Sequence, residues 1–125
     1  MDNPKYFANL TPQQRLLQQR AIRKTKSVYE RTGKVQERPT VSSQKPKRSS
    51  WVKRFEEKHG FPITDLKKVK EAYPSADVDT ILKKGAGAYA TSGSRPNVSS
   101  FQWRYARLAS ALLGGPAAKV DKNLL

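Results

Sequence analysis

The chain has 125 residues, 25 Lys and Arg against 10 Asp and Glu, one histidine and no cysteine, for a formal net charge of +15. That length gives one small domain with an appendage rather than two full domains. The absence of cysteine excludes disulfides and thiolate metal sites. No apolar run reaches the roughly 20 residues that span a bilayer, and the polar opening Met1-Asp2-Asn3-Pro4-Lys5 lacks the apolar stretch of a signal peptide.

Charge and apolar content divide at Ser50. Residues 1–50 carry 12 Lys and Arg against 3 Asp and Glu, a net of +9, with 13 hydrophobic residues. Residues 51–125 carry 13 against 7, a net of +6, with 32 hydrophobic residues. The second part alone has the material for a core, and its size is near the lower limit for an independent domain. The first cannot offset its ordering entropy by itself. The expectation is a mainly α protein: a basic extended arm over 1–50 with one helix near 12–31, a small helical head over 51–113, and a tail over 114–125.

In the arm, Thr11-Pro12 is a helix start, with a hydroxyl N-cap and proline at the first helical position, and Gly33 is a suitable stop. Leu16, Leu17, Ala21, Ile22, Val28 and Tyr29 make a thin apolar stripe, with Arg15, Arg20, Arg23, Lys24, Lys26 and Arg31 spread around it. Such a helix gains its stability from a partner surface. From Lys34 to Ser50 the chain is polar, with a basic cluster at Lys45, Lys47 and Arg48, and reads as an extended connector.

The head reads as about four short helices. Ser50 caps Trp51–His59, which Gly60 ends. Thr64 or Asp65 caps Leu66–Ala72, and Pro74 stops it. Ser75 opens a third helix that Gly85 ends, with Asp77 and Asp79 early and Lys83 and Lys84 late, as the helix dipole favours. A Gly/Ser-rich loop follows from Gly85 to Asn97. The last helix starts at Ser99, with Gln102 completing a capping box. Phe101, Tyr105, Leu108, Ala109 and Leu112 form its inner stripe, and Gly114-Gly115-Pro116 ends it.

Few residues suit catalysis. His59 sits at a helix end, where a capping or exposed ring is the simpler role than a general base. Asp77 and Asp79 are two apart and diverge on a helix, so they form no acid pair. The carboxylates are too scattered for a metal site. The reading is a protein with no catalytic, cofactor or metal residues. Ser92, Ser94 and Arg95 in the Gly/Ser loop are candidates for an anion cradle, although no Gly-Lys-Ser/Thr closes the loop as in a phosphate-binding P-loop. The alternative is a loop packed backbone-close against the last helix, with Tyr89 as anchor. Trp103 and Arg107, four apart, suit a stacked pair. The two helices around Pro74 form no convincing DNA-reading motif, because Asp77 and Asp79 on the outward side would face phosphate.

The C-terminal part carries Gly85-Ala86-Gly87-Ala88-Tyr89, Ser92-Gly93-Ser94-Arg95-Pro96-Asn97, Trp103-x-Tyr105-Ala106-Arg107-Leu108-Ala109-Ser110, Gly114-Gly115 and Lys119-Val120-Asp121. Over roughly residues 60–125 this resembles a small uncharacterised family of large double-stranded DNA viruses, algal ones included, and some phages. The resemblance implies a viral origin and a virion component, and it carries over no site residue. Two functional expectations follow. In the first, the chain is a minor capsid or capsid-associated protein, intracellular in the host before assembly. Its arm threads between major and minor capsid subunits, with Tyr6, Phe7 and Tyr29 as aromatic anchors. In the second, the arm's cations bind viral double-stranded DNA without sequence preference and tether or condense the genome. Neither needs a membrane span, and an anionic membrane surface is a further polyanion open to such an arm.

Overall fold

Thr11 starts the longest helix through a reciprocal capping box. Its Oγ1 accepts the Gln14 N–H at 3.2 Å, and Gln14 Oε1 accepts the Thr11 N–H at 3.0 Å. Pro12 occupies the first turn, and Gly33 ends the helix in the left-handed conformation (φ 72°) that a side chain would strain. In the computed structural model, which describes residues 4–7, 9–42, 49–92 and 97–125, this is α1, Pro12–Thr32. It is followed by α2 (Ser50–His59), α3 (Leu66–Ala72), α4 (Val78–Ser92), α5 (Ser100–Leu112) and α6 (Pro116–Val120). Short 3₁₀ turns lie at Pro4–Phe7 and Lys122–Leu124. The protein is mainly α, with no strand among the described residues.

Two helix starts differ from the sequence expectation. Ser49 rather than Ser50 holds the N-cap position of α2, without a side-chain bond. At α4 the start moves from Ser75 to Val78, because Asp77 Oδ1 accepts the Thr80 N–H at 3.2 Å and supplies the cap that Ser75 was expected to give. Asp65 caps α3 by accepting the Lys68 N–H, and Gly60 ends α2 at φ 73°, both as expected.

The larger difference is at Gly85. Glycine there was expected to end a helix and open a loop, yet α4 runs through Gly85 and Gly87 to Ser92. A Cβ on Gly85 would lie 3.2 Å from Arg104 Cα, and one on Gly87 would lie 3.0 Å from Tyr29 Oη. The glycines serve close packing of a continuing helix, which offsets their cost of about 1 kcal/mol each in a helix interior. Asn97, at φ 65°, begins the approach to α5. There Ser99 Oγ accepts the Gln102 N–H and Gln102 Oε1 accepts the Ser99 N–H, as the capping box predicts.

Contacts group the chain into two units, Met1–Lys47 with Ala86–Trp103 and Arg48–Gly85 with Arg104–Leu125. Composition places boundaries at Ser50 and Leu113 instead, because it registers apolar density and not the partners of each residue. The second unit contains the apolar core of Val52, Phe55, Ile63, Val69, Val78, Ile81, Leu108, Ala109 and Ala111. Its C-terminal end is pinned by three polar contacts. Arg107 grips fully buried Asp121 through Nε and Nη2 at 3.0 and 2.7 Å. The Asp77 N–H donates to the Leu124 carbonyl at 2.7 Å, and Ser110 Oγ accepts the Ala117 N–H at 3.2 Å.

Among the glycines of that unit, Gly115 has the least room for a side chain. A Cβ there would sit 2.7 Å from Ser110 Oγ and from two atoms of the Trp51 indole, a rigid ring edge that cannot swing aside. Gly115→Ala is expected to lower stability by about 1–3 kcal/mol through overpacking. Urea denaturation of the full chain measures it, and an unchanged midpoint would remove this packing argument.

Candidate functional site

In the first unit α1 shows two opposed faces. Gln18, Ala21 and Thr25 are buried, three or four residues apart along one side. Of the apolar stripe the sequence suggested, Ala21 is buried and Ile22, Val28 and Tyr29 are half-buried, while Leu16 and Leu17 remain 45% and 51% exposed. Polar bonds also hold the helix. Gln18 Nε2 donates to the Tyr6 carbonyl at 3.3 Å. The Thr25 hydroxyl donates to the Ile22 carbonyl at 3.0 Å, lies 3.4 Å from the Ala90 carbonyl, and accepts from Arg38 Nη1 at 2.8 Å.

The opposite face carries the cations. Arg15, Arg20, Arg23, Lys24, Lys26 and Arg31 are all exposed, and Glu30 is the only acid on the helix. Among the described residues, none of the six forms an ion pair. Their charges therefore add into one positive field on a helix of about 31 Å.

That face is held in place by a short extended segment after α1. Tyr89 on α4 is fully buried, and Arg38 closes over it with its guanidinium carbon 3.8 Å from the ring centre. The Arg38 backbone N–H donates to Tyr89 Oη at 3.0 Å, and its Nη1 donates to the Tyr89 carbonyl at 2.9 Å. Burial pushes the Tyr89 phenol up from its ordinary pKa, and burial likewise pulls Arg38 down. The Tyr89 carbonyl belongs to the last turn of α4, so the Arg38 guanidinium places a positive charge at the negative end of that helix. The neighbouring Glu37 does the reverse, its Oε1 accepting the Ser100 N–H at 2.7 Å at the positive start of α5. Asn97 completes the latch, accepting the Val41 N–H at 3.0 Å and donating to Ser42 Oγ and its carbonyl at 3.1 Å. Glu37 and Arg38 were not singled out from the sequence, and Asn97 was named there only as the end of the Gly/Ser loop and of a motif. Their partners lie 51 to 63 residues away, and no local pattern marks them.

The other residues singled out from sequence fall as follows. Phe7 is buried in the first unit, Tyr6 meets Trp103 edge-on at 6.2 Å, and the Tyr29 hydroxyl lies beside Gly87. The structure thus places all three aromatic anchors against their own chain. Lys45, Lys47 and Arg48 lie outside the described residues, as do Ser94 and Arg95, while Ser92 is the last residue of α4. Arg107 is engaged by Asp121, and the indole with a guanidinium above it is Trp51, under Arg54 at 4.9 Å. His59 is half-buried among Phe55, Phe61 and Tyr73, with Nε2 2.8 Å from Tyr73 Oη. Burial, then the nearby Lys58 charge, lowers its pKa. Asp79 is exposed and pairs with Lys70 at 3.0 Å. Among the described residues, no three His, Asp or Glu side chains converge as a metal site, and no helix is long and apolar enough to cross a membrane.

No curated protein and no solved structure matches the chain. A family model does match, and it spans residues 3–124, a range that includes the basic helix and its latch. The chain belongs to the family of unknown function DUF5824.

Proposed function

We propose that this protein is a non-catalytic virion component that binds double-stranded DNA without sequence preference and tethers the genome through the outer face of α1. The observation that carries this reading is the group of six exposed cations on one helix side, unpaired among the described residues and backed by a buried polar face. The resemblance to proteins of large DNA viruses supports the virion setting. Threading of residues 1–50 between capsid subunits is the competing proposal. It asks α1 and the Glu37–Asn97 latch to give up contacts they make within their own chain, and it offers Tyr6 and Phe7 to a partner when both are already packed.

Binding of the full chain to duplex DNA across salt tests the proposal. With four to six phosphates neutralised, log K is expected to fall with log salt at a slope of about −4 to −5. Arg20→Glu with Lys24→Glu should flatten that slope by about 2 and weaken binding at least tenfold at 0.1 M salt, with the helical signal unchanged. Duplex binding that is absent, or indifferent to salt and to these changes, would overturn the reading. In fractionated particles the protein is expected to leave with the genome; retention on the emptied shell favours the capsid proposal.

A further inference from the structure

The exposed residues of α1 fall into three lengthwise rows, and this arrangement, which rests on the DNA-binding reading, says how a duplex is held. At about 100° per residue, positions 11 apart return to the same side after three turns. Arg15 and Lys26 share one edge of the exposed face. Arg20, Lys24 and Arg31 share the other, about 150° around the helix. Between the two edges run Leu16, Arg23 and Ser27, all exposed. Glu30, the one acid, lies between the Arg15–Lys26 edge and this middle row, near the C-terminal end.

Two cationic edges flanking a mixed ridge complement a trough with phosphates on both rims. A flat anionic surface would meet only the middle of such a face and leave the edges unused. An α-helix is about 10–12 Å across with its side chains, and the major groove of B-DNA is about 12 Å wide, whereas the minor groove is about 6 Å and does not admit a helix. We infer that α1 lies lengthwise in the major groove of duplex DNA, with Arg15 and Lys26 on one phosphate strand and Arg20, Lys24 and Arg31 on the other. Leu16, Arg23 and Ser27 then face the base edges. The inner face of α1 stays on its own unit through Gln18, Ala21 and Thr25, which leaves about half the helix circumference for the groove.

The test uses the full chain and a mixed-sequence duplex. Methyl green, a major-groove ligand, should displace the protein, and distamycin, a minor-groove ligand, should not. Guanine N7 should be protected from dimethyl sulfate, a readout that needs no variant. Arg15→Glu with Lys26→Glu, and separately Arg20→Glu with Arg31→Glu, should each weaken binding by tenfold or more at 0.1 M salt, because each pair serves a different strand. Displacement by distamycin alone, unprotected N7, or sensitivity confined to one pair would overturn the groove placement while leaving duplex binding standing. A wild-type chain that does not bind duplex at all removes both.

Discussion

Tyr89→Ala is expected to cost about 3–5 kcal/mol, the range for truncating a fully buried aromatic side chain, and to unfold the first unit before any exposed cation is touched. Tyr89 has no exposed surface, is covered by the Arg38 guanidinium, and accepts the Arg38 N–H. Truncation removes the ring, its cation–π contact and the acceptor together. Tyr89→Phe keeps the ring and removes only the acceptor, for an expected loss of about 1–2 kcal/mol. Alkaline pH gives an independent check. Because burial raises the Tyr89 pKa, the folded chain holds its phenolic proton longer than the unfolded one. The contribution is therefore complete below the ordinary tyrosine pKa of about 10 and is lost as pH rises through the folded value. Tyr89→Phe should flatten the alkaline decline in urea stability. Tyr73, also raised by burial, leaves part of that decline in place. A decline of unchanged steepness would contradict the role given to Tyr89.

The second large effect is expected at the other end of the chain. Asp121 is fully buried and the Arg107 side chain is 18% exposed. Asp121→Ala strands a largely buried guanidinium, with an expected loss of about 3–5 kcal/mol. Much of that is the penalty of the orphaned charge and not the worth of the pair. Replacing both, as Arg107→Met with Asp121→Leu, should therefore recover most of the loss. The wild-type pair should also be little affected by salt, since buried charges are weakly screened. If the double variant is as unstable as Asp121→Ala, the cost lies in packing and the argument from charge fails.

Local chemistry was legible where it is written within a few residues. Thr11-Pro12, Gly33, Gly60, Asp65 and the Ser99–Gln102 box all end or begin helices where hydroxyl, carboxylate and glycine chemistry places them. Glycine was ambiguous because the same residue ends a helix by taking positive φ and permits close approach inside one. Gly33 and Gly60 do the first, Gly85 and Gly87 the second, and only the neighbours distinguish them. The inner face of α1 was hidden for a related reason. Gln18 and Thr25 read as surface residues by polarity, yet each is satisfied by groups brought from elsewhere in the first unit. The cationic residues of the candidate site could be named from sequence, but their shared exposure and grouping into rows needed to know which side of α1 is buried.

Glu37 and Arg38 each reach a helix end more than 50 residues further along the chain. On the ribosome those ends do not yet exist when residues 1–42 emerge. At about 5–20 residues per second, the stretch up to Ser100 takes roughly 3–12 seconds to follow. During that interval the segment from α1 to Ser42 cannot complete its own contacts. Its cations then lie near ribosomal RNA without the partners that later hold the segment. The latch can close only from its late side, and arrival of the α5 start lets Glu37 complete its half.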